Sequence, residues 1–358
     1  MLKQSNTLNF IGENIYVGID VHLKSWSVCI MTTHLTHKAF RQDPDPLVLV
    51  SYLTRHFPGG TYYSVYEAGF CGLWIHNKLR ELGVHSLVVN PADVPTSDKE
   101  HKHKSDPVDA GKLARSLRSG ELKGIYTHGQ ESLYARSLLR VRNSIVIDMT
   151  RTKNRIKGML YYYGIHYPAS FSMGKGHWSR LFIRWLKEDV LLHESIARTA
   201  FLLLLEEYEY SRFQLLKANR EIRELACLRH KEDLRLITSI PGVGFLTGIH
   251  ILVQVEQIDR FGSRDKFASF SGMVPTTRNS GDKNSTGRIS PRQQKELRSL
   301  LIESAWIAAR YDPALSANFH KLCHRMDKNK AIIRIAKQLA NRIYYVLKNK
   351  VEYVNGLV

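Results

Sequence analysis

Ile15-Tyr16-Val17-Gly18-Ile19 runs straight into Asp20. Five uncharged residues closed by a carboxylate read as a buried strand with an acid at its C-terminal end. Tyr62-Tyr63-Ser64-Val65-Tyr66 repeats the pattern and is closed by Glu67. Such strand ends face an open crevice in α/β layers, so both acids are expected on its rim. A third piece, Lys104-Ser105-Asp106-Pro107-Val108-Asp109-Ala110, opens a helix with Pro in the first turn. Its i, i+3 spacing turns Asp106 and Asp109 the same way. Carboxylate oxygens suit Mg2+ or Mn2+, and two such ions about 3.5–4 Å apart can clamp the attacking and leaving oxygens of a phosphodiester. Each acid alone has a plainer use, since Asp and Glu at strand ends commonly serve turns or cap helices. Their combination carries the weight.

Around these acids, residues 14–128 alternate strand-like runs (Ile15 to Ile19, Ser25 to Met31, Tyr62 to Tyr66, Ser86 to Val89) with helical ones (Gly72 to Leu82, Val108 to Leu117). That alternation predicts an α/β layer holding the metal site. Asp after one strand, Glu after a second and D-x-x-D at a helix start resembles the carboxylate arrangement of RNase H-like phosphoryl-transfer folds.

From Ser132 to about Gly164 the pattern becomes helical and basic. Arg136, Arg140, Arg151 and Arg155 fall on one stripe, with Arg142, Lys153 and Lys157 beside it and Glu131 and Asp148 opposing. A charged face is ordinarily a solvated face, but one of nearly single sign on a chain this basic points to phosphate contact. Gly164 to Lys175, with Pro168 and Gly174, interrupts the helices, and periodicity resumes through Ile196, Leu202 to Leu205 and Phe213 to Leu228. Residues 129–230 are therefore expected to form a long helical hairpin or coiled-coil arm, a shape that commonly dimerises.

The remainder, 231–358, reads as mostly helical. Leu236-Ile237-Thr238-Ser239-Ile240-Pro241-Gly242-Val243-Gly244-Phe245 has the look of a helix-hairpin-helix, in which amides at Gly242 and Gly244 are free to meet a DNA phosphate. A tight turn packed inside the protein is the alternative. Residues 272–290 read as a polar, glycine-punctuated loop carrying Arg278, Lys283 and Arg288 among several hydroxyls, and such loops carry function more often than packing. Ser290-Pro291 is expected to cap a helix through Leu297, Leu301 and Ala305, and a last helix repeats Ile332, Ala336, Leu339 and Ile343.

Composition agrees with a polyanionic partner. The 358 residues hold 52 Lys+Arg against 33 Asp+Glu, a formal charge of +19, which favours nucleic acid through phosphate contact and counterion release. The length suffices for two or three domains. No run approaches a membrane span and Met1 to Asn6 lacks the apolar stretch of a signal peptide, so a cytoplasmic protein with no membrane partner is expected. Cys29, Cys71, Cys227 and Cys323 show no C-x-x-C spacing, hence neither a disulfide framework nor a zinc ribbon. The His101-Lys102-His103-Lys104 tract reads as a solvated loop before it reads as a metal site.

In order along the chain stand Gly18-Ile19-Asp20, Glu67-Ala68-Gly69, Asn90-Pro91, Lys104-x-Asp106-x-x-Asp109-Ala110, Ile240-Pro241-Gly242-Val243-Gly244, and Pro275 ahead of Ser280-Gly281. This string resembles the bacterial insertion-sequence transposases of the DEDD-plus-serine type, a family that includes pilin-gene DNA invertases and bridge-RNA-guided recombinases. The resemblance implies a RuvC-like domain over 14–128 with Asp20, Glu67, Asp106 and Asp109 as metal ligands, a coiled-coil middle over 129–230, and a transposase domain over 231–358. It further implies a serine nucleophile before a glycine in the loop after the G-x-x-P segment, which here is Ser280. Its implied partners are DNA at element ends and target, a guide RNA encoded by the element, and further copies of the chain in a dimer or tetramer, in a bacterial cytoplasm. One departure is His22, where many relatives carry a small hydroxyl or Ala.

A serine hydroxyl is a poor nucleophile until a metal or base lowers its proton affinity. Arg278, Lys283 and Arg288 can offset charge developing on the phosphoryl oxygens. Ser285 and Ser290 are local rivals, the latter with a capping role already. A covalent phosphoserine conserves bond energy for rejoining, so strand exchange needs no ATP. The reading reached is a DNA transposase acting by metal-assisted serine recombination. Its rivals are a RuvC-like junction resolvase in which water attacks, a site-specific invertase, and a basic nucleic-acid-binding protein with a dead site.

Overall fold

The computed structural model describes residues 9–97, 105–171, 176–193, 196–280, 283–289 and 294–355. Backbone alone is described for 275–280 and 283–289, while the His101–Lys104 tract, Gly281, Ser290 and Pro291 lie outside the described residues. The chain divides into two compact units, 1–127 and 128–358.

The first unit is built on a five-stranded sheet of order β3-β2-β1-β4-β5. Its strands are β1 (Asn14–Val21), β2 (Trp26–Met31), β3 (Thr36–Gln42), β4 (Thr61–Glu67) and β5 (His85–Val89). β1 runs antiparallel to β2 and parallel to β4, and β4 is parallel to β5. Since side chains alternate between faces, Ile15, Val17 and Ile19 share one face with Trp26, Val28 and Ile30. Leu49 and Leu53 of α1 (Pro46–His56) and Ile75 and Leu79 of α2 (Trp74–Glu81) cover it. The opposite face takes α3 (Asp106–Arg118), whose Ala110 and Ala114 pack on Cys29 and Met31 and whose Leu113 packs on Val65 and Val89. With both faces covered, β2 is buried throughout, which is why β1 and β2 read as near-continuous apolar runs.

Gly18 fixes the distance between sheet and helix. A Cβ at this position would stand 2.1 Å from the Ala110 carbonyl oxygen and 2.4 Å from the Ala114 amide nitrogen, both in α3. No side chain fits there, so Gly18→Ala is expected to lower stability by about 3 kcal/mol or more, read by denaturant unfolding. Wild-type stability in that variant would show that the helix does not rest on β1 as described.

Two elements of this unit lay beyond the sequence reading. Every residue of β3 is exposed or half-buried, so it carries no apolar alternation. α1 announces itself only by its cap, where Asp45 accepts the Leu47 amide at 2.8 Å ahead of Pro46.

The second unit opens with α4 (Gln130–Tyr162) and also contains α5 (Arg180–Glu188) and α6 (Arg198–Arg229). α4 and α6 pair antiparallel, for Glu131 meets Arg229 at 2.5 Å, Arg142 meets Asn219 at 3.3 Å, and Thr152 meets Glu207 at 2.8 Å. The far end is closed by Phe182, Ile183 and Leu186 of α5, packed with Ile156, Leu160, Phe201 and Leu205. The near end packs Ala135 and Leu139 with Ile222 and Ala226 against Ile249 and Val253 of α8 (Phe245–Val255). α7 (Lys231–Thr238), α8, α9 (Arg264–Phe270), α10 (Lys295–Tyr311), α11 (Pro313–Cys323) and α12 (Lys328–Asn349) enclose one larger core. Within it Asp312, fully buried, accepts from Arg342 at 2.6 Å and from the Leu315 amide at 2.8 Å. The segment expected as a loop instead holds an antiparallel pair, β6 (Pro275–Ser280) and β7 (Lys283–Ile289). Among the described residues no helix is long and apolar enough to cross a membrane.

Candidate metal centre

Period-two alternation along β1 and β4 settles where two of the four acids stand. Gly18 pairs with Val65 and Ile19 with Tyr66 in the parallel register. Asp20 and Glu67 therefore stand side by side one step further on, on the face that α3 covers. The first turn of α3 contributes Asp106 and Asp109, with Pro107 between them and Ser105 as the N-cap. A helix start carries partial positive charge and tolerates two acids where a helix end would not. Three chain segments thus deliver one acidic cluster at the C-terminal edge of the central strands.

The cluster is threaded by side-chain cations and an imidazole. His22 Nε2 lies 3.1 Å from Asp20 Oδ2 and 3.7 Å from Asp106 Oδ1, and Arg41 donates to Asp106 Oδ2 at 2.7 Å. Lys112 Nζ lies 3.4 Å from Asp109 Oδ1 and 3.6 Å from Glu67 Oε1. Burial pushes the Asp20 carboxyl above its ordinary value, His22 pulls it back, and the negative charges of Asp109 and Asp106 push the same way as burial. An ionised Asp20 accordingly wants more positive charge than the protein supplies.

A hard divalent ion fits that need. Donor atoms of Asp20, His22 and Asp106 lie within 4.8 Å of one another, and carboxylate oxygens are the donors that Mg2+ and Mn2+ prefer. Of the supporting residues, His22 was visible in the sequence only as a departure and is now a direct neighbour of two acids. Lys112 and Arg41 were missed. Lys112 sits three residues after Asp109, a spacing that places it on the same helix face, whereas Arg41 lies on the strand that showed no pattern.

The other candidates belong to the second unit. Ser280 is the last residue of β6 and pairs with Lys283 across the hairpin, Arg278 pairs with Ser285, and Arg288 lies in β7. Between α7 and α8, Gly242 has φ +88° and packs so closely that a Cβ would stand 2.2 Å from the Ser304 carbonyl oxygen of α10. Gly242 therefore turns the chain against α10 at a point where no side chain fits. Gly244 is exposed and N-caps α8 with open space around its Cα.

The basic stripe needs one correction. Arg140, Arg151 and Arg155 are exposed, the latter two pairing with Asp148 at 2.9 Å and Glu207 at 3.7 Å. Arg136 is instead buried, 8% exposed, and donates to His128 Nε2, whose Nδ1 lies 2.7 Å from Glu256 Oε2. Burial first, then Arg140 and Arg260, push the Arg136 guanidinium down to about 10. Burial and Arg136 hold His128 down at about 4, so the imidazole is neutral and able to accept from Arg136. Arg136 left the stripe because residue 136 adjoins Ala135 and Leu139 on the face that packs inward.

Comparison with known proteins places both units. A DEDD transposase domain of the IS110 type, described as "Transposase", matches residues 17–165, which include all four acids. The description "Transposase IS116/IS110/IS902 family" matches residues 234–321, which include Ser280. The putative transposase y4qE of Sinorhizobium fredii is 25% identical over 281 residues, 78% of this chain and 66% of that protein. The transposase for insertion sequence element IS1111A of Coxiella burnetii is 26% identical over 284 residues, 77% of this chain and 74% of that protein. The pilin gene-inverting protein of Moraxella bovis is 34% identical over 129 residues, 34% of this chain and 38% of that protein.

Proposed function

The chain belongs to the IS116/IS110/IS902 transposases, and on that premise we propose that it breaks and rejoins DNA for its own mobile element, using the carboxylate centre of the first unit and Ser280 of the second. The observation that carries this reading is the convergence of Asp20, Glu67, Asp106 and Asp109 from three segments onto one sheet edge, threaded by His22, Arg41 and Lys112. Asp20, Asp106 and their neighbours would hold Mg2+ or Mn2+, which when bound polarises a phosphodiester and stabilises charge on its oxygens.

The protein's own groups do the rest. His22 orients Asp20 and Asp106 by touching both. Arg41 fixes the second oxygen of Asp106 and so leaves its first turned toward His22. Ser280 supplies the attacking oxygen. Its Oγ bonds to phosphorus as the bond to the leaving deoxyribose oxygen breaks, and the seryl proton passes to that oxygen. Reversal with a new strand end releases the serine, with no net bond energy consumed. Arg278, Lys283 and Arg288 offset charge at the phosphate. A guide RNA from the element and a dimer or tetramer complete the reading, and the chain's excess of cations suits an RNA as it suits DNA. Inversion in place of insertion is the second reading, favoured by the likeness to a pilin gene-inverting protein. Cleavage of DNA carrying element ends by wild-type and Asp20→Ala protein tests the core of the proposal. Equal cleavage by the two would overturn it.

The exposed arginines of α4 are assigned to phosphate contact on DNA or RNA. Changing Arg140, Arg151 and Arg155 together to Gln should weaken binding across sequences and flatten its salt dependence, by roughly 0.9 in log–log slope for each duplex phosphate that is no longer neutralised. Arg136→Gln should leave that slope unchanged and lower thermal stability instead, because Arg136 is held inside by His128. An unaltered slope in the triple variant would return the face to plain solvation.

A further inference from the structure

Lys112 is an unusual lysine. Its side chain is 9% exposed, and its ammonium lies between Glu67 and Asp109. Lysines are almost never so enclosed unless paired, because an ammonium out of water is costly without acidic partners. On the other side of the cluster, Asp20 and Asp106 share His22, whose Nε2 has no carboxylate charge to offer but, in the tautomer protonated at Nδ1, presents a lone pair. The centre is therefore divided into an Asp20–His22–Asp106 half, whose donor atoms lie within 4.8 Å of one another, and a Glu67–Asp109 half already served by a cation.

We propose that the centre takes a single divalent ion, in the Asp20–His22–Asp106 half, and that the Lys112 ammonium stands permanently in the place of a second. This deepens, and rests on, the metal-centre reading above. Charge agrees with it. Four carboxylates oppose Lys112 and Arg41, leaving two negative charges, which one divalent ion neutralises. A second divalent ion beside the ammonium would meet like charge at short range, where the repulsion is strong in a partly dehydrated site. Lys112 is tethered where it stands, three residues after Asp109 on a helix whose Ala110, Leu113 and Ala114 are locked onto the sheet. The imidazole also sets the choice of ion. Nitrogen donors favour Mn2+ over Mg2+ more than carboxylates alone do, so His22 biases this centre toward Mn2+.

The test uses Mn2+ alone as the probe, titrated into the full-length protein and followed by electron paramagnetic resonance, with pulsed measurements for nitrogen coupling. Wild-type protein should bind one Mn2+ per chain in the centre, with a nitrogen coupling that disappears in His22→Ser. His22→Ser should also lower Mn2+ affinity by about tenfold and Mg2+ affinity less. Lys112→Met, with its fold checked by circular dichroism, should accept two ions showing spin–spin coupling, and Lys112→Arg should return to one. Two coupled ions in the wild-type protein would overturn the assignment of Lys112 while leaving the metal centre in place. A single ion in folded Lys112→Met would overturn it equally. Nitrogen coupling that persists in His22→Ser removes His22 as a ligand and with it the assigned half. No bound ion in wild-type protein overturns this proposal and the metal-centre reading together. The wild-type count and the His22 signal decide the matter even if Lys112→Met does not fold.

Discussion

Asp109→Ala is expected to abolish DNA strand cleavage, by more than about 10²-fold, while the protein remains folded and still binds DNA. The magnitude follows from position. Loss of groups that merely orient a metal ligand costs about 10- to 100-fold, so loss of an acid inside the cluster should cost more. The fold should survive because Lys112, which loses Asp109, keeps Glu67 at 3.6 Å, and because Asp20, pushed up by burial and by the charges of Asp109 and Asp106, loses a repelling neighbour. Bulk binding should survive because it draws on a chain with 52 Lys+Arg. Asp20→Ala, Glu67→Ala and Asp106→Ala should behave alike, and Mg2+ or Mn2+ should support cleavage where Ca2+, with its longer and looser coordination, does not. A gel assay on labelled DNA carrying element ends reads this directly. Wild-type cleavage by the Asp109→Ala protein would end the reading of the four acids as one catalytic centre.

Ser280→Ala should eliminate recombination and, with it, any covalent link between protein and DNA. Where a nucleophilic serine has been deleted from an enzyme, turnover has fallen on the order of 10⁶-fold, because no neighbour can form the same ester. Labelled DNA run on a denaturing gel should show a protein-linked band with wild-type protein and none with Ser280→Ala. Ser285→Ala should keep the band. Ser285 lies across the hairpin from Arg278, whereas Ser280 ends β6 opposite Lys283. In a resolvase where water attacks, Ser280→Ala would still cut and no adduct would form with either protein. The two experiments are independent: loss of cleavage on removing an acid does not depend on which group attacks.

Where burial writes a pattern, the sequence could be read. β1, β2, β4 and β5 were legible because both faces of the sheet are covered, leaving apolar runs that end in Asp20 and Glu67. The start of α3 was legible because Pro107 and two acids mark a first turn. β3 was not, since Thr36 to Gln42 bury little and show no alternation. β6 and β7 were hidden by polar residues typical of loops. Within the centre, the four acids could be named from their places at element ends, whereas Lys112 looked like any helix lysine. Its partner Glu67 is forty-five positions earlier in the chain, and only the packing of α3 across β4 and β5 brings the two together. Arg136 shows the reverse error. Helical spacing groups it with Arg140, but spacing does not say which edge of the stripe turns inward against Ile249 and Val253.

The seat of α3 on Gly18 ties the geometry of the centre to the docking of one helix. Asp106, Asp109 and Lys112 all ride on this helix, and the helix is held to β1 at a contact that admits no side chain. Ion occupancy and helix docking are then linked equilibria. Any species that binds only the docked form stabilises that form by RT ln(1 + [L]/Kd), and whatever loosens the helix weakens binding by the same factor. A ligand touching α3 alone, without reaching an acid, could therefore arm or disarm the chemistry by shifting one helix against one strand.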